Sequence, residues 1–358
     1  MLKTSLPTPA ALIDRSTLQG NIEYMARAAK RAGVQLRPHI KTHKIPEIAF
    51  LQLQAGACGI TCAKVSEAEV MAAHGIRDVL IAYPTVGIEQ LRRAAEMARS
   101  IQLTLACDST YGAARLQAAA EAANVCVDVY LIINCGADRD GVEADEALDL
   151  ADCVRSQPRL RLVGIMTHEG QVYKQSSREQ VSSLYHRAAD DMSILADTMR
   201  KEGHSISAVS MGSTPSCWLG EPHAGITEWR PGTYVFNDLQ EASLVTELED
   251  CALTVLTTVV SHPGPDRYIL DAGSKSLTAS SHPIHQFGML KEHPEAEIVS
   301  LSEEHGTVRY RGPLSIGDVV EVIPVHACPT TNLFSHVYVV EGDEVVGQWS
   351  VAARGCVV

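Results

Sequence analysis

The sequence predicts an α/β protein with an added β-domain: a (β/α)8 TIM-like barrel followed by an antiparallel β-domain. Three observations predict it. Short β-rich runs alternate with helical stretches from residue 21 onward, the alternation stops after residue 248, and residues 249–358 are β-branched and alternating with almost no helical pattern. Strand–helix alternation imposes parallel pairing, because a crossover is needed to return the chain to the same end of a sheet. Residues 21–248 are therefore assigned to the barrel and 249–358 to the β-domain. Residues 1–20 form an N-terminal segment whose "AALID" suits a strand of either domain.

The first helix is "LQGNIEYMARAAKRAG", with apolar positions near helical spacing and Gly33 as its C-terminal stop. The candidate strands follow as "LRPHIK", "GITCAK", "VLIAYP", "IQLTLACD", "VYLIINCG", "LVGIMTHEG", "AVSMGST" and "WRPGTYVF", eight in all. Helical stretches such as "VSEAEVMAAHG", "IEQLRRAAEMARS" and "YGAARLQAAAEAAN" separate them. Eight such units fit a closed barrel better than an open sheet. Beyond them, "ALTVLTTVVSH", "DRYILDAG", "DVVEVIPV" and "HVYVVEGDEVVGQWS" alternate in polarity between Gly, Pro and Asp, the signature of antiparallel strands.

A chain of 358 residues suits a large barrel plus a second domain. Its net charge of −13 argues against nucleic acid or an anionic membrane as partner, since both select basic surfaces. It has no apolar run of about 18 residues and no signal-peptide core. Ten cysteines lie scattered without a CxxC pair, as small hydrophobes in a reducing compartment would. The expectation is a cytoplasmic protein that handles a small molecule.

Active sites of such barrels lie at the C-terminal ends of the strands. Here those ends carry His39, Lys41 and His43, then Lys64, Tyr83 and Asp108, then Asn134, Asp138 and Arg139, then His168, Gln171 and Tyr173. The seventh ends in "GSTPS" (212–216) and the eighth in "RPGTYVFND", with Tyr234 and Asn237. Ordinary turn residues would serve at most of these places, so polar chemistry at nearly all of them marks a functional rim. "GSTPS" reads either as a plain turn or as an anion cradle, in which Gly212 permits close approach, Ser213 and Thr214 offer hydroxyls, and backbone N–H groups favour phosphate. Lys41 reads either as a solvated lysine or as a Schiff-base amine kept neutral by nearby cations and burial. The cradle and the lysine together suggest pyridoxal 5′-phosphate (PLP).

"RPHIKTHK", "GSTPS" and "RPGTYVFND" resemble the D-threonine aldolase / D-serine dehydratase family, in order and over essentially the whole chain. The resemblance implies the alanine-racemase-like, fold type III architecture, with PLP and a divalent metal as cofactors. It places the Schiff-base lysine at Lys41, with His39 near it, and a cofactor-contacting arginine in the fifth-strand loop at Arg139. The alternative for Arg139 is a salt bridge with Asp138 or Asp140. His43, His168 and Tyr173 are candidates for proton transfer or substrate contact, and Tyr234 and Asn237 for extra phosphate donors. In "VIPVHACPTTNLF", His326 and Cys328 are two apart, so an extended strand would put both on one face. By spacing alone a packing role is favoured, because structural zinc sites use four ligands. The resemblance makes this pair the metal ligands, and a thiolate with an imidazole favours Zn²⁺ over Mn²⁺ or another divalent ion.

The implied substrate is a D-amino acid with a β-hydroxyl. Loss of the hydroxyl would give a 2-oxo acid and ammonia, the dehydratase outcome that Cys328 favours. Cleavage of Cα–Cβ would give glycine and an aldehyde, the aldolase outcome. An amino-acid racemase and a non-enzymatic PLP-binding protein are the rivals. The resembling fold is usually a homodimer, which is the expectation here.

Overall fold

The computed structural model describes residues 1–358. The chain divides into two compact units. One comprises Met1–Glu23, Thr42–Glu47 and Thr233–Gly355, and the other Tyr24–Lys41, Ile48–Gly232 and Cys356–Val358.

The second unit is a parallel barrel. Its strands are β2 (Gln35–Leu36), β3 (Ile60–Cys62), β4 (Asp78–Pro84), β5 (Gln102–Cys107), β6 (Val127–Ile132), β7 (Leu160–Met166), β8 (Ala208–Met211) and β9 (Glu228–Trp229). They form an eight-stranded sheet in the order β2-β9-β8-β7-β6-β5-β4-β3. A parallel bridge between His39 and Thr61 joins the two ends of that order and closes the ring. Runs such as Val79, Leu80 and Ile81, or Val129, Leu131 and Ile132, are buried, as strands covered on both faces require.

The first and last barrel strands are shorter than the sequence suggests. Of "LRPHIK" only Leu36 lies in the ladder, with Gln35 before it, and of "WRPGTYVF" only Trp229, with Glu228 before it. Pro38 and Pro231 have no N–H to give, so each interrupts its strand. The carbonyls of the two prolines still accept, from Thr61 N–H at 2.8 Å and His39 N–H at 2.9 Å respectively. Beyond Pro38 the backbone coils into a 3₁₀ turn at Ile40–Thr42. His39, Lys41 and His43 are therefore not presented by one extended strand.

Helix ends follow local chemistry. Gly33 stops the helix Arg15–Ala32 in the left-handed region, φ 73°. That helix begins before the expected "LQGNIE", because Asp14 Oδ1 accepts the Thr17 N–H at 2.8 Å and so caps an earlier turn. Ser109 likewise caps Thr110–Ala122 by accepting from Gly112 N–H at 3.1 Å. No helix is long and apolar enough to cross a membrane.

The other unit is antiparallel. Strand β1 (Ala10–Asp14) precedes the barrel strands in the chain. After them come β10 (Leu253–Gly264), β11 (Arg267–Leu270), β12 (Met289–Leu290), β13 (Glu297–Leu301), β14 (Gly306–Arg309), β15 (Val319–Ile323), β16 (His336–Glu341) and β17 (Glu344–Ser350). The order is β11-β14-β13-β12-β15-β10-β1-β16-β17, and β11 also pairs with β10. That extra pairing closes a ring around a core that includes Val255, Val259, Leu270, Ile298, Val308 and Val322. Strand β1 lies between β10, antiparallel to it, and β16, parallel to it.

Candidate active site and metal centre

The site residues expected from the sequence fall into two groups, one in each unit. In the barrel unit, Lys41 is exposed on its one-turn helix. Its backbone N–H donates to His39 Nδ1 at 3.3 Å, which makes Nδ1 an acceptor and leaves the ring proton on Nε2. Burial pushes the His39 pKa well down, and the charges of Lys41, Arg230, His168 and Arg139 push it the same way. His168 falls to about 4: burial lowers it, Glu169 opposes, and Lys41, Arg139 and Arg230 lower it further. Lys41, His39, His168, Arg139 and Arg230 all follow the C-terminal ends of barrel strands, and the cations among them hold the two imidazoles towards the neutral form.

Arg139 itself is exposed and donates from Nε to Asp140 Oδ1 at 3.2 Å, the loop salt bridge that was its alternative. The loop it stands on is organised by Asn134. That side chain donates to Asp138 and Glu143 and accepts from the N–H groups of Gly136 and Asp138. Tyr173 is half-buried on the 3₁₀ turn Gly170–Lys174. At the neighbouring strand ends, the Lys64 ammonium sits 3.6 Å above the centre of the Tyr83 ring.

The "GSTPS" turn has the backbone a cradle needs, but two of its amides are already engaged. Gly212 has φ 117°, and a Cβ there would meet Cys217 Sγ at 2.5 Å, so only glycine fits. The N–H groups of Ser213 and Gly212 donate to the Glu169 carboxylate at 2.7 and 3.2 Å. Thr214 and Ser213 are buried, and Ser213 Oγ lies 3.0 Å from Ser216 Oγ. The expected amide cradle is thus filled by a side chain of the protein, and what the turn presents are hydroxyls.

Two residues of this mouth were missed from sequence. Arg230 stands in "RPGTYVFND" at the end of the eighth strand, and the rim rule pointed to it as clearly as to Tyr234. It is buried, and donates to Ser210 Oγ and to the Thr167 carbonyl. Ser210 in turn donates to Glu228 at 2.5 Å, and Glu228 accepts from Arg37 Nε at 2.7 Å. Arg37, the first residue of "RPHIKTHK", also donates to Asp78 at 2.5 Å and belongs to this internal ladder. Nothing in "THEGQVY" distinguishes Glu169 as the buried member.

In the antiparallel unit, His326 is the N-cap residue of the short helix Ala327–Thr331, three residues after β15, and Cys328 lies in that helix. The pair is brought together by a strand-to-helix turn, which corrects the expectation of an extended strand with both side chains on one face. Asp238, fully buried, accepts from His326 Nδ1–H at 2.9 Å and from the Ala327 N–H at 2.8 Å. Its other oxygen accepts from the N–H groups of Gln240 and Glu241 at 3.0 and 3.1 Å. This carboxylate orients the imidazole through Nδ1 and leaves Nε2 as the nitrogen directed away from it. Burial would lower the His326 pKa, but the Cys328 thiolate and Asp238 raise it to about 11. Cys328 Sγ lies 3.1 Å from Thr42 Oγ1 and 3.7 Å from Thr233 Oγ1. The donor set, one soft sulfur and one oriented imidazole, fits a divalent metal. No group of three or more His, Cys, Asp or Glu side chains is placed to hold an ion together.

The remaining expected residues of this unit are less open. His43 is fully buried, accepts from the Ile45 N–H at 3.0 Å through Nδ1, and meets Phe236 edge-on at 6.5 Å. Tyr234 is fully buried in the 3₁₀ turn Thr233–Val235. Asn237 is fully buried, and its Nδ2 is directed to the Asp250 carbonyl at 3.4 Å. Its Oδ1 has no partner, and an acceptor there has the wrong polarity for a phosphate oxygen.

Comparison with known proteins agrees with both units. The family described as "Alanine racemase, N-terminal domain" matches residues 13–240, and the "Putative serine dehydratase domain" matches residues 252–340. The D-threonine aldolase of Arthrobacter sp is 34% identical, over 97% of this chain and 93% of that protein. The D-threo-3-hydroxyaspartate dehydratase of Delftia sp. (strain HT23) is 31% identical, over 96% of this chain and 97% of that protein. Among solved structures, D-threonine aldolase from Filomicrobium marinum superposes with a TM-score of 0.93 at 30% identity, covering 100% of this chain and 99% of that one.

Proposed function

This chain belongs to the alanine-racemase-like family that includes the D-threonine aldolases and D-serine dehydratases, and on that premise we propose that it is a PLP- and divalent-metal-dependent lyase acting on β-hydroxy-D-amino acids. The observation that carries the reading is the exposed Lys41 amine at a mouth where Arg139, Arg230 and two neutral imidazoles gather in a protein of net charge −13. A cationic mouth with one accessible amine is what an anionic aldehyde cofactor requires. When bound, PLP supplies an electron sink for the α-carbon.

The chain's own groups then have distinct tasks. Lys41 provides the amine that carries the cofactor and holds the α-proton at Nζ. The hydroxyls of Ser213 and Thr214 would donate to the phosphate, and Gly212, at φ 117°, gives the turn the backbone shape that presents them. Arg139 offers a guanidinium to the cofactor ring, and His39 supports Lys41. His168, neutral near pH 7, accepts a proton. His326 and Cys328 hold Zn²⁺, favoured by their softness over Mn²⁺; when bound, the ion acts as a Lewis acid towards a hydroxyl group.

Dehydration of D-serine or D-threonine to a 2-oxo acid and ammonia is the favoured outcome, because Cys328 supplies a thiolate ligand. The second reading is retro-aldol cleavage to glycine and an aldehyde, favoured by the likeness to the Arthrobacter aldolase. Product analysis with D-serine and D-threonine, before and after chelation, decides. Pyruvate and ammonia from D-serine, lost with EDTA, are expected; glycine and acetaldehyde from D-threonine would select the aldolase, and activity indifferent to EDTA would remove the metal. Lys41→Ala should lose the visible absorption band near about 420 nm and more than about a thousandfold in turnover. A protein that stays colourless when supplied with PLP would sink the cofactor reading.

A further inference from the structure

We infer that Glu169 is a positioning residue that serves the "GSTPS" turn as a built-in anion, so that the turn meets a phosphate with its hydroxyls rather than with the amides of Gly212 and Ser213. The inference rests on the reading of this turn as the phosphate-binding element. Glu169 is fully buried, and its carboxylate takes three donors from one turn: Ser213 N–H at 2.7 Å, Gly212 N–H at 3.2 Å and Ser216 O–H at 2.5 Å. Such charge-assisted bonds are roughly twice as strong as neutral ones. A buried carboxylate so satisfied is a fixed part of the fold.

The arrangement also sets proton directions. Ser216 has one hydroxyl proton, and the short bond to a carboxylate claims it. Its oxygen is then an acceptor, for the Ser213 N–H at 3.1 Å and for the Ser213 hydroxyl at 3.0 Å. The Ser213 proton can turn from Ser216 to an incoming phosphate oxygen, and no other atom of the turn has to move. Arg230, buried and electrostatically linked to Glu169, offsets the negative charge beside a phosphate. Glu169 follows His168 directly, so the same three bonds hold the end of the β7 segment against the end of β8.

The test uses the full chain freed of cofactor, titrated with PLP and with pyridoxal, which lacks the phosphate. The wild type is expected to prefer PLP; no preference would sink the phosphate reading itself. With that preference in place, Glu169→Gln should reduce the PLP-to-pyridoxal affinity ratio by about tenfold or more, because its amide faces donors with a donor. Ser216→Ala, a gentler change, should lower the same ratio by less and covers the case in which Glu169→Gln fails to fold. A ratio unchanged in the foldable variants would make Glu169 merely structural. A raised ratio would make it a competitor for the phosphate. Either result overturns the inference.

Discussion

Two buried polar arrangements, one in each unit, are held by opposite strategies. In the barrel, Asp78, Arg37, Glu228, Ser210 and Arg230 form a ladder in which Arg37, Glu228 and Arg230 each have more than one partner and Asp78 ends the row. In the antiparallel unit a single carboxylate, Asp238, serves the imidazole of His326 and three backbone N–H groups. Removing one link from the ladder leaves its neighbours partly paired. Removing Asp238 orphans every donor at once, and an orphaned buried donor costs about 1–3 kcal/mol. Redundancy protects the first arrangement, and economy of residues exposes the second.

The largest effect is accordingly expected at Asp238→Ala, a loss of about 3–5 kcal/mol in denaturant unfolding. The milder Asp238→Asn should keep the fold and lower affinity for added Zn²⁺ by about 10–100-fold, read by titration and metal content. Glu228→Gln should cost less than Asp238→Ala, about 1–3 kcal/mol, since Arg37 keeps Asp78. Equal losses at the two sites would break the contrast.

A pH effect sharpens it on the barrel side. Burial and the cationic mouth put His168 at about 4 when folded, against an ordinary 6.5. Between those values the unfolded chain binds a proton that the folded chain refuses, so stability drops as pH falls through that window. His168→Gln should therefore shrink the fall in Tm between pH 6.5 and pH 4 by about 2–4 °C. The smallest change is expected at the exposed Arg139–Asp140 pair, where Asp140→Asn should shift stability by less than about 1 kcal/mol.

The sequence showed these two strategies unequally. Strand–helix alternation exposed the barrel because parallel strands, buried on both faces, read as compact apolar runs. Their ends then pointed to the rim, Lys41 and His168 included. The prolines at 38 and 231 were visible too, yet their shortening of β2 and β9 follows only from where the ladders fall. The spacing of His326 and Cys328 was noticed for a reason that does not hold, since a turn and not a strand brings them together. Glu169 left no local signal, and Asp238 reads in sequence only as the N-cap of the short helix Leu239–Ala242. Each acts on residues far along the chain, at a separation of 88 for the Asp238–His326 bond, and a carboxylate in a loop looks the same in sequence whether it is solvated or buried.

The position of β1 bears on biosynthesis. Ala10–Asp14 leaves the ribosome first, but its partners are Leu253–Leu256 and Tyr338–Val340. At ordinary translation speeds the first of these partners follows on the order of ten to fifty seconds later. During that interval the parallel ring acquires its last strand at Glu228–Trp229 while the leading strand has no mate. An apolar edge waiting that long is a hazard for mispairing between nascent chains, and a natural place for a chaperone to act. Nascent chains stalled before residue 253 should thus be cut by protease near Ala10–Asp14 while the ring resists, and equal protection of both would refute this order.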